Sequence, residues 1–130
     1  MGGDRFIFPF EKLEVYWLAL DLAEAVFDLL DRLPANRHLR LVGQMEAAVA
    51  SVSQNIAEGK GRQYKKEFVQ FLSIAEGSLF EMLTLCELFR RRKLFAELDV
   101  ARIRGMAETF NRKLRGLINT LQNHKPKSFT

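Results

Sequence analysis

The sequence predicts an all-α protein: an antiparallel up-down-up-down four-helix bundle in a single domain spanning residues 1–130. Three observations predict it. Apolar residues recur at three- and four-residue steps in four successive stretches, which is the period of an α-helix. No proline stands between Pro34 and Pro126, so that whole interval is free of the residue that breaks helices. The connections are short, and short connections make consecutive helices antiparallel neighbours. The helices are expected at about 11–33, 37–58, 64–92 and 96–123, with tails at 1–10 and 124–130.

The lead-in carries Phe6, Phe8 and Phe10 around Pro9, and its alternation predicts a short extended arm, folded on its own bundle or reaching a neighbour. Helix 1 shows two stripes. Leu13, Tyr16, Leu20, Ala23, Phe27 and Leu30 form one; Val15, Leu18, Leu22, Val26, Leu29 and Leu33 form the other. One stripe suffices for a bundle core, so this helix carries more apolar surface than a monomer needs. Pro34 stops it, and Asn36 is the expected N-cap of helix 2.

In helix 2, Val42, Met45, Val49, Val52 and Ile56 share a face, and Gly59 is the expected C′ residue. Small residues (Ala47, Ala48, Ala50, Ser51, Ser53, Ala57) allow close helix approach. Helix 3 has a full stripe in Phe68, Leu72, Ala75, Leu79, Met82, Cys86 and Phe89, at coiled-coil spacing. A flanking stripe of Phe71, Ile74, Ser78, Leu85 and Leu88 is interrupted by Glu81, so burial on more than one side is expected. Gly77 costs roughly 1 kcal/mol mid-helix, and close packing beside Ser78 is its expected compensation. Helix 4 has one narrow stripe: Val100, Ile103, Ala107, Phe110, Leu114, Leu117 and Leu121. Arg102, Arg104, Glu108, Arg112, Lys113 and Arg115 cover its remainder. Two-faced helices beside a one-faced helix argue that bundles pack against each other as a homo-oligomer.

Twenty Lys and Arg oppose sixteen Asp and Glu, a mild excess that does not by itself demand a polyanionic partner. The lone cysteine, Cys86, rules out an internal disulfide framework and suits a reducing compartment, so the expected location is cytoplasmic. No membrane association is expected. The apolar run Val15 to Leu20 is too short to span. The Met-Gly start resembles a myristoylation signal, but Phe6 stands where Ser or Thr is needed.

Gln44, Ser51, Asn55 and Glu58 climb helix 2 one position from the apolar stripe, where each polar group needs a partner. Gln44, Asn55, Glu58, Gly59, Gly77, Ser78 and Glu81 are therefore read as structural contacts between helices or subunits. Asn55, Glu58, Arg62 and Glu81 could form an acid-base constellation, but no histidine or nucleophile joins those four, so no catalytic residue is assigned and an enzyme is not expected. His38 and His124 lie far apart, and the Glu-x-x-His ligands of a di-iron bundle are missing; no metal and no cofactor are expected.

Cations cluster at the helix ends. Arg90, Arg91, Arg92 and Lys93 close helix 3, and antiparallel order brings Arg32, Arg37 and Arg40 to the same end. Lys60, Arg62, Lys65 and Lys66 gather at the opposite end, near Lys125 and Lys127. Each cluster could be a solvated helix end. Repeated around a ring of subunits, they become candidate phosphate contacts.

A resemblance attaches to specific residues. Asn55-Ile56-Ala57-Glu58-Gly59, Gly61-Arg62, Lys66-Glu67-Phe68, Phe71-Leu72, Ala75, Gly77-Ser78-Leu79 and Glu81, with the opening Phe10 to Tyr16, carry it over about residues 10–120. These resemble the four-helix-bundle proteins encoded by intervening sequences in large-subunit rRNA genes. That family is related to the accessory variability determinant of diversity-generating retroelements. The resemblance implies a cytosolic bundle assembled as a ring-like homopentamer and, for the retroelement relatives, binding to nucleic acid and to a reverse transcriptase. Three departures stand out. Glu46 and Ala47 replace arginines of helix 2, Ser53-Gln54 replaces Pro-Ala, and Tyr64 replaces a small hydroxyl residue before helix 3. The expected function is a non-enzymatic oligomeric scaffold binding structured RNA or DNA, possible partner of a reverse transcriptase. The alternative is a structural or protein-binding assembly with no nucleic-acid role.

Overall fold

The structure, a computed structural model, describes residues 6–123. Among them are four α-helices and no strand: α1 Glu14–Asp31, α2 Leu39–Lys60, α3 Lys65–Arg91 and α4 Glu97–Gln122, with a 3₁₀ turn at Pro9–Lys12 ahead of them. The Met-Gly start and the tail carrying His124, Lys125 and Lys127 lie outside the described residues.

The expected extended arm is instead a turn folded onto α1. Pro9 presets the backbone for the 3₁₀ turn, and the Glu11 carboxylate accepts from the Ile7 and Phe8 amides at 2.9 and 2.8 Å. The Trp17 indole N–H donates to the Glu11 carbonyl at 2.8 Å, and the Phe10 ring lies 4.9 Å from that of Tyr16. Because Glu11 belongs to this turn, α1 begins at Glu14 rather than Glu11. It ends at Asp31 rather than Leu33, where the Arg32 and Leu33 amides tighten onto Leu29 and Leu30 ahead of Pro34.

α2 also shifts from its expected bounds. Asn36 is not its N-cap, because the helix begins only at Leu39 and Asn36 stands two residues ahead of the cap position, with a left-handed φ of 66°. His38, at φ 55°, takes the position. At the other end Gly59 is not a C′ residue. The helix runs through it to Lys60, and Gly61 closes it with an ordinary φ of −79°. Gly59 is buried because α3 passes over it: a Cβ built there would lie 2.5 Å from Phe71 Cβ and 3.1 Å from the Phe68 ring. The glycine is required by packing, not by backbone conformation.

All four helices contribute to one core. Met45, Val49, Val52 and Ile56 of α2 face Leu72, Ala75, Leu79, Met82, Cys86 and Phe89 of α3, all essentially without solvent contact. In α1 the core belongs to Val15, Ala19, Leu22, Val26 and Leu29, while Leu13, Tyr16, Leu20 and Phe27 remain half-buried. In α4 Ile118, not Leu117, follows Leu114 into the core, since the true helical period exceeds the 3.5-residue spacing. Phe95, in the α3–α4 connection, is buried edge-on against Phe89 at 4.9 Å.

α3 buries one side only. Ile74, Phe80 and Leu88 are 51, 51 and 44 % exposed, and the space around Gly77 is open, so no packing within the chain compensates that glycine. By length and composition α3 could cross a membrane, yet its Phe68-to-Phe89 stripe is already used by the other helices.

Candidate nucleic-acid interface

The helix ends are held in place by the α2–α3 seam. Ser51 Oγ and Ser78 Oγ are 2.7 Å apart across it, and Asn55 Nδ2 donates to the Ser51 carbonyl at 2.8 Å and hydroxyl at 3.0 Å. Ser51, Asn55 and Ser78 thus form one half-buried network. The other expected members stand apart. Gln44 and Glu81 are exposed, and Glu58 makes only a surface ion pair with Arg62 at 3.2 Å, one helical turn away. Their side chains lie on the outer faces, where water satisfies them.

Beyond this seam, at the α2–α3 turn, Lys60, Arg62, Lys65 and Lys66 come together. Lys60 Nζ lies 5.5 Å from the Phe68 ring centroid, and the Arg62 guanidinium 4.6 Å from that of Phe71. Ring faces carry negative charge density, so they steady both cations without neutralising them. A cleft of about 180 Å³ opens here between Lys60, Tyr64, Lys65, Phe68 and Leu121. Lys60, Lys65 and Lys66 make no ion pair among the described residues.

The α3–α4 turn is larger and electrostatically mixed. A cavity of about 550 Å³ is lined by Arg90, Arg91 and Lys93 but also by Glu97 and Asp99. Glu87 accepts from Arg90 at 2.8 Å and from Arg91 at 2.9 Å; Arg90 also reaches Glu97 at 3.4 Å. Those hydrogen bonds, Arg90's first and Arg91's second, hold the Glu87 carboxyl down to about 2, and Glu87 in turn raises Arg90. Arg32 joins this end through Asp99 at 3.5 Å. Arg37, Arg40, Arg92 and Lys93 make no ion pair among the described residues, and Lys93 adopts a left-handed φ of 62°.

Cys86 is buried, and that burial pushes its thiol up to about 12. Its nearest polar contact is Met82 Sδ at 3.6 Å, which is no base. Among the described residues no group of His, Cys, Asp and Glu is placed to hold a metal ion. What the surface offers is cation clusters at helix ends. Sequence reasoning located these clusters. It missed the rings of Phe68 and Phe71 beneath Lys60 and Arg62, and the carboxylates of Glu97 and Asp99. The Glu87 pairs with Arg90 and Arg91 were open to inference, since they follow helical i,i+3 and i,i+4 spacing.

Comparison with known proteins places these features in context. The family model described as 23S rRNA-intervening sequence protein matches residues 11–116. No curated protein matches the chain. Among solved structures, a protein of unknown function from the S23 ribosomal protein family of Bacteroides thetaiotaomicron is similar, with a TM-score of 0.73 and 21 % identity. The match covers 80 % of this chain and 97 % of that one; at this identity it shows a shared fold.

Proposed function

The chain belongs to the 23S rRNA-intervening sequence protein family, and from that membership we propose a non-enzymatic, cytoplasmic scaffold that binds structured RNA or DNA through its basic helix ends. The carrying observation is the set of cations at both ends, Lys60, Lys65 and Lys66 at one and Arg37, Arg40, Arg92 and Lys93 at the other, that have no carboxylate partner among the described residues. Unneutralised cations in clusters are what a phosphate backbone exchanges for its counterions.

In this reading the bundle is antiparallel, up-down-up-down, and assembles as a ring-like homopentamer. The helix order is supported by pairs whose numbers rise along one helix and fall along the next: Gly59 with Phe68, Ser51 with Ser78, Arg115 with Glu76, and Glu14 with Lys113. Assembly is supported by the outer face of α3, where Ile74, Phe80 and Leu88 flank the bare Gly77. Covering them would contribute about 25 cal/mol per Å² of apolar area. The count of five, and a role beside a reverse transcriptase, rest on the likeness to the retroelement accessory proteins.

A salt-titrated binding assay on the full chain tests the reading. Affinity for RNA and DNA should fall steeply with salt. Changing Arg90, Arg91 and Arg92 to Gln, or Lys60, Lys65 and Lys66 to Gln, should weaken all nucleic acids alike and flatten that dependence. Sedimentation should find an oligomer that Ile74→Glu with Leu88→Glu dissociates. If the wild type binds nothing at about 50 mM salt, where such contacts are strong, the structural or protein-binding assembly replaces this reading.

A further inference from the structure

Tyr64 occupies a position that its side chain does not serve. It is the N-cap of α3, with extended backbone at φ −113° and ψ 143°, where Ser, Thr, Asp or Asn would accept an amide hydrogen bond. Its side chain makes no capping bond, and the residue is 60 % exposed. The ring neither caps the helix nor enters the core. Its surroundings are basic: it lines the cleft with Lys60 and Lys65, and Arg62 and Lys66 stand two residues to either side.

We propose that Tyr64 is a stacking platform for an unpaired base of RNA or DNA, whose flanking phosphates are held by Lys60, Lys65 and Lys66. This rests on the nucleic-acid reading above and assigns the ligand class at one of its two ends. An exposed ring among cations is the combination that binds single strands without sequence preference, because every base has a π-face and every nucleotide a phosphate. In a duplex the bases are already stacked on one another and leave this ring unused. The α3–α4 end lacks such a surface. Its exposed apolar residues are the aliphatic Leu39 and Leu98, and its cations alternate with Glu87, Glu97 and Asp99. The other strongly exposed rings sit elsewhere: Phe80 in a groove with Arg104 and Glu108, Phe8 against Phe10. The Tyr64 hydroxyl is not needed for stacking, so the ring alone carries the effect.

The test uses the full chain and short oligonucleotides carrying one 2-aminopurine, as RNA and as DNA, each single-stranded or annealed to its full complement as a blunt duplex. Binding of the single strands should quench the 2-aminopurine. Tyr64→Ala should abolish the quenching and weaken single-strand binding roughly tenfold, within the range measured for loss of one stacked base. Duplex affinity and the salt slope should stay unchanged, since no charge is removed. Tyr64→Trp should restore both signals, whereas Lys65→Gln with Lys66→Gln should weaken single strand and duplex alike. Unchanged thermal melting of Tyr64→Ala excludes a folding effect. Single-strand affinity that is indifferent to Tyr64→Ala overturns the inference while leaving the phosphate reading intact. A wild-type protein that binds neither form at low salt overturns both.

Discussion

Ser51 Oγ and Ser78 Oγ lie 2.7 Å apart, joining α2 to α3 midway along their seam, and Asn55 completes the group from one turn further along α2. Removing Ser51 leaves the Ser78 hydroxyl without its partner, whereas removing Ser78 leaves Ser51 still accepting from Asn55. Ser51→Ala and Ser78→Ala should each cost about 0.5–1.5 kcal/mol, as should Asn55→Ala. The double serine variant should cost clearly less than the sum, because both changes remove one interaction. Glu58→Ala, which loses only an exposed ion pair, should stay within about 1 kcal/mol of wild type. Urea denaturation measures all five, and strict additivity of the serines would disprove the coupling.

Gly59 is the tightest point of the seam. Gly59→Ala places a methyl group 2.5 Å from Phe71 Cβ, an atom close to the α3 backbone that cannot rotate away. The helices must separate, at about 1–3 kcal/mol, despite alanine's better helix propensity. Thermal melting that rises in this variant would contradict the packing role.

Cys86 predicts an alkaline limit. Burial raises its thiol from 9.0 to about 12, so above pH 9 the unfolded chain releases a proton that the folded chain keeps. The contribution is fully present below pH 9 and is lost as pH rises towards 12, at up to about 1.4 kcal/mol per pH unit. Cys86→Ala should lack this component, so the difference between the two stability curves isolates it. In the native protein, a thiol reagent at about pH 8, near the ordinary thiol range, should react no faster than unfolding allows; rapid labelling would show the thiol to be accessible.

Glu87 predicts an acid limit of opposite sign. Its carboxyl falls from 4.5 to about 2 beside Arg90 and Arg91, so the unfolded chain takes up a proton first as pH drops. The stabilisation is present above pH 4.5 and is lost between 4.5 and 2. Glu87→Gln should remove that part of the acid transition. The same change frees two arginines for phosphate, and nucleic-acid affinity should then fall more steeply with salt, by about 0.9 in logarithmic slope for each additional phosphate neutralised. An unchanged slope would mean that Arg90 and Arg91 do not meet phosphate.

Much of this fold could be read in the chain, for a definite reason. Met45 to Ile56 in α2 is a single apolar stripe, which can face only the core, and Phe68 to Phe89 in α3 is the complete stripe beside an interrupted one whose Ile74 and Leu88 stay exposed within this chain. α1 was ambiguous because both its stripes are apolar; only its neighbours decide that Val15, Leu22 and Val26 go inside while Tyr16 and Phe27 remain half-covered. Leu117 and Ile118 are adjacent apolar residues, and the choice between them depends on a few degrees of helical phase. Glycine carries two meanings that sequence does not separate, helix end and close approach, and Gly59 has the second. Of the basic clusters, Lys60 to Lys66 and Arg90 to Lys93 were visible as local runs. The carboxylates of Glu97 and Asp99 that offset the second run come from α4, and no local pattern announces them.

The seating of Gly59 against Phe68 and Phe71 has a consequence for how the chain finds its structure. The α2–α3 pair is the most extensive helix pairing in the protein and is joined by a turn of only a few residues. Closing so short a loop loses little entropy, whereas bringing α4 onto α1 closes a far longer one and costs correspondingly more. The hairpin is therefore expected to be the folding nucleus. Val52→Ala and Leu72→Ala should slow folding, with φ-values of about 0.5–0.8, while Leu114→Ala should mainly speed unfolding. Equal φ-values in α2, α3 and α4 would instead mean that all the helices condense together.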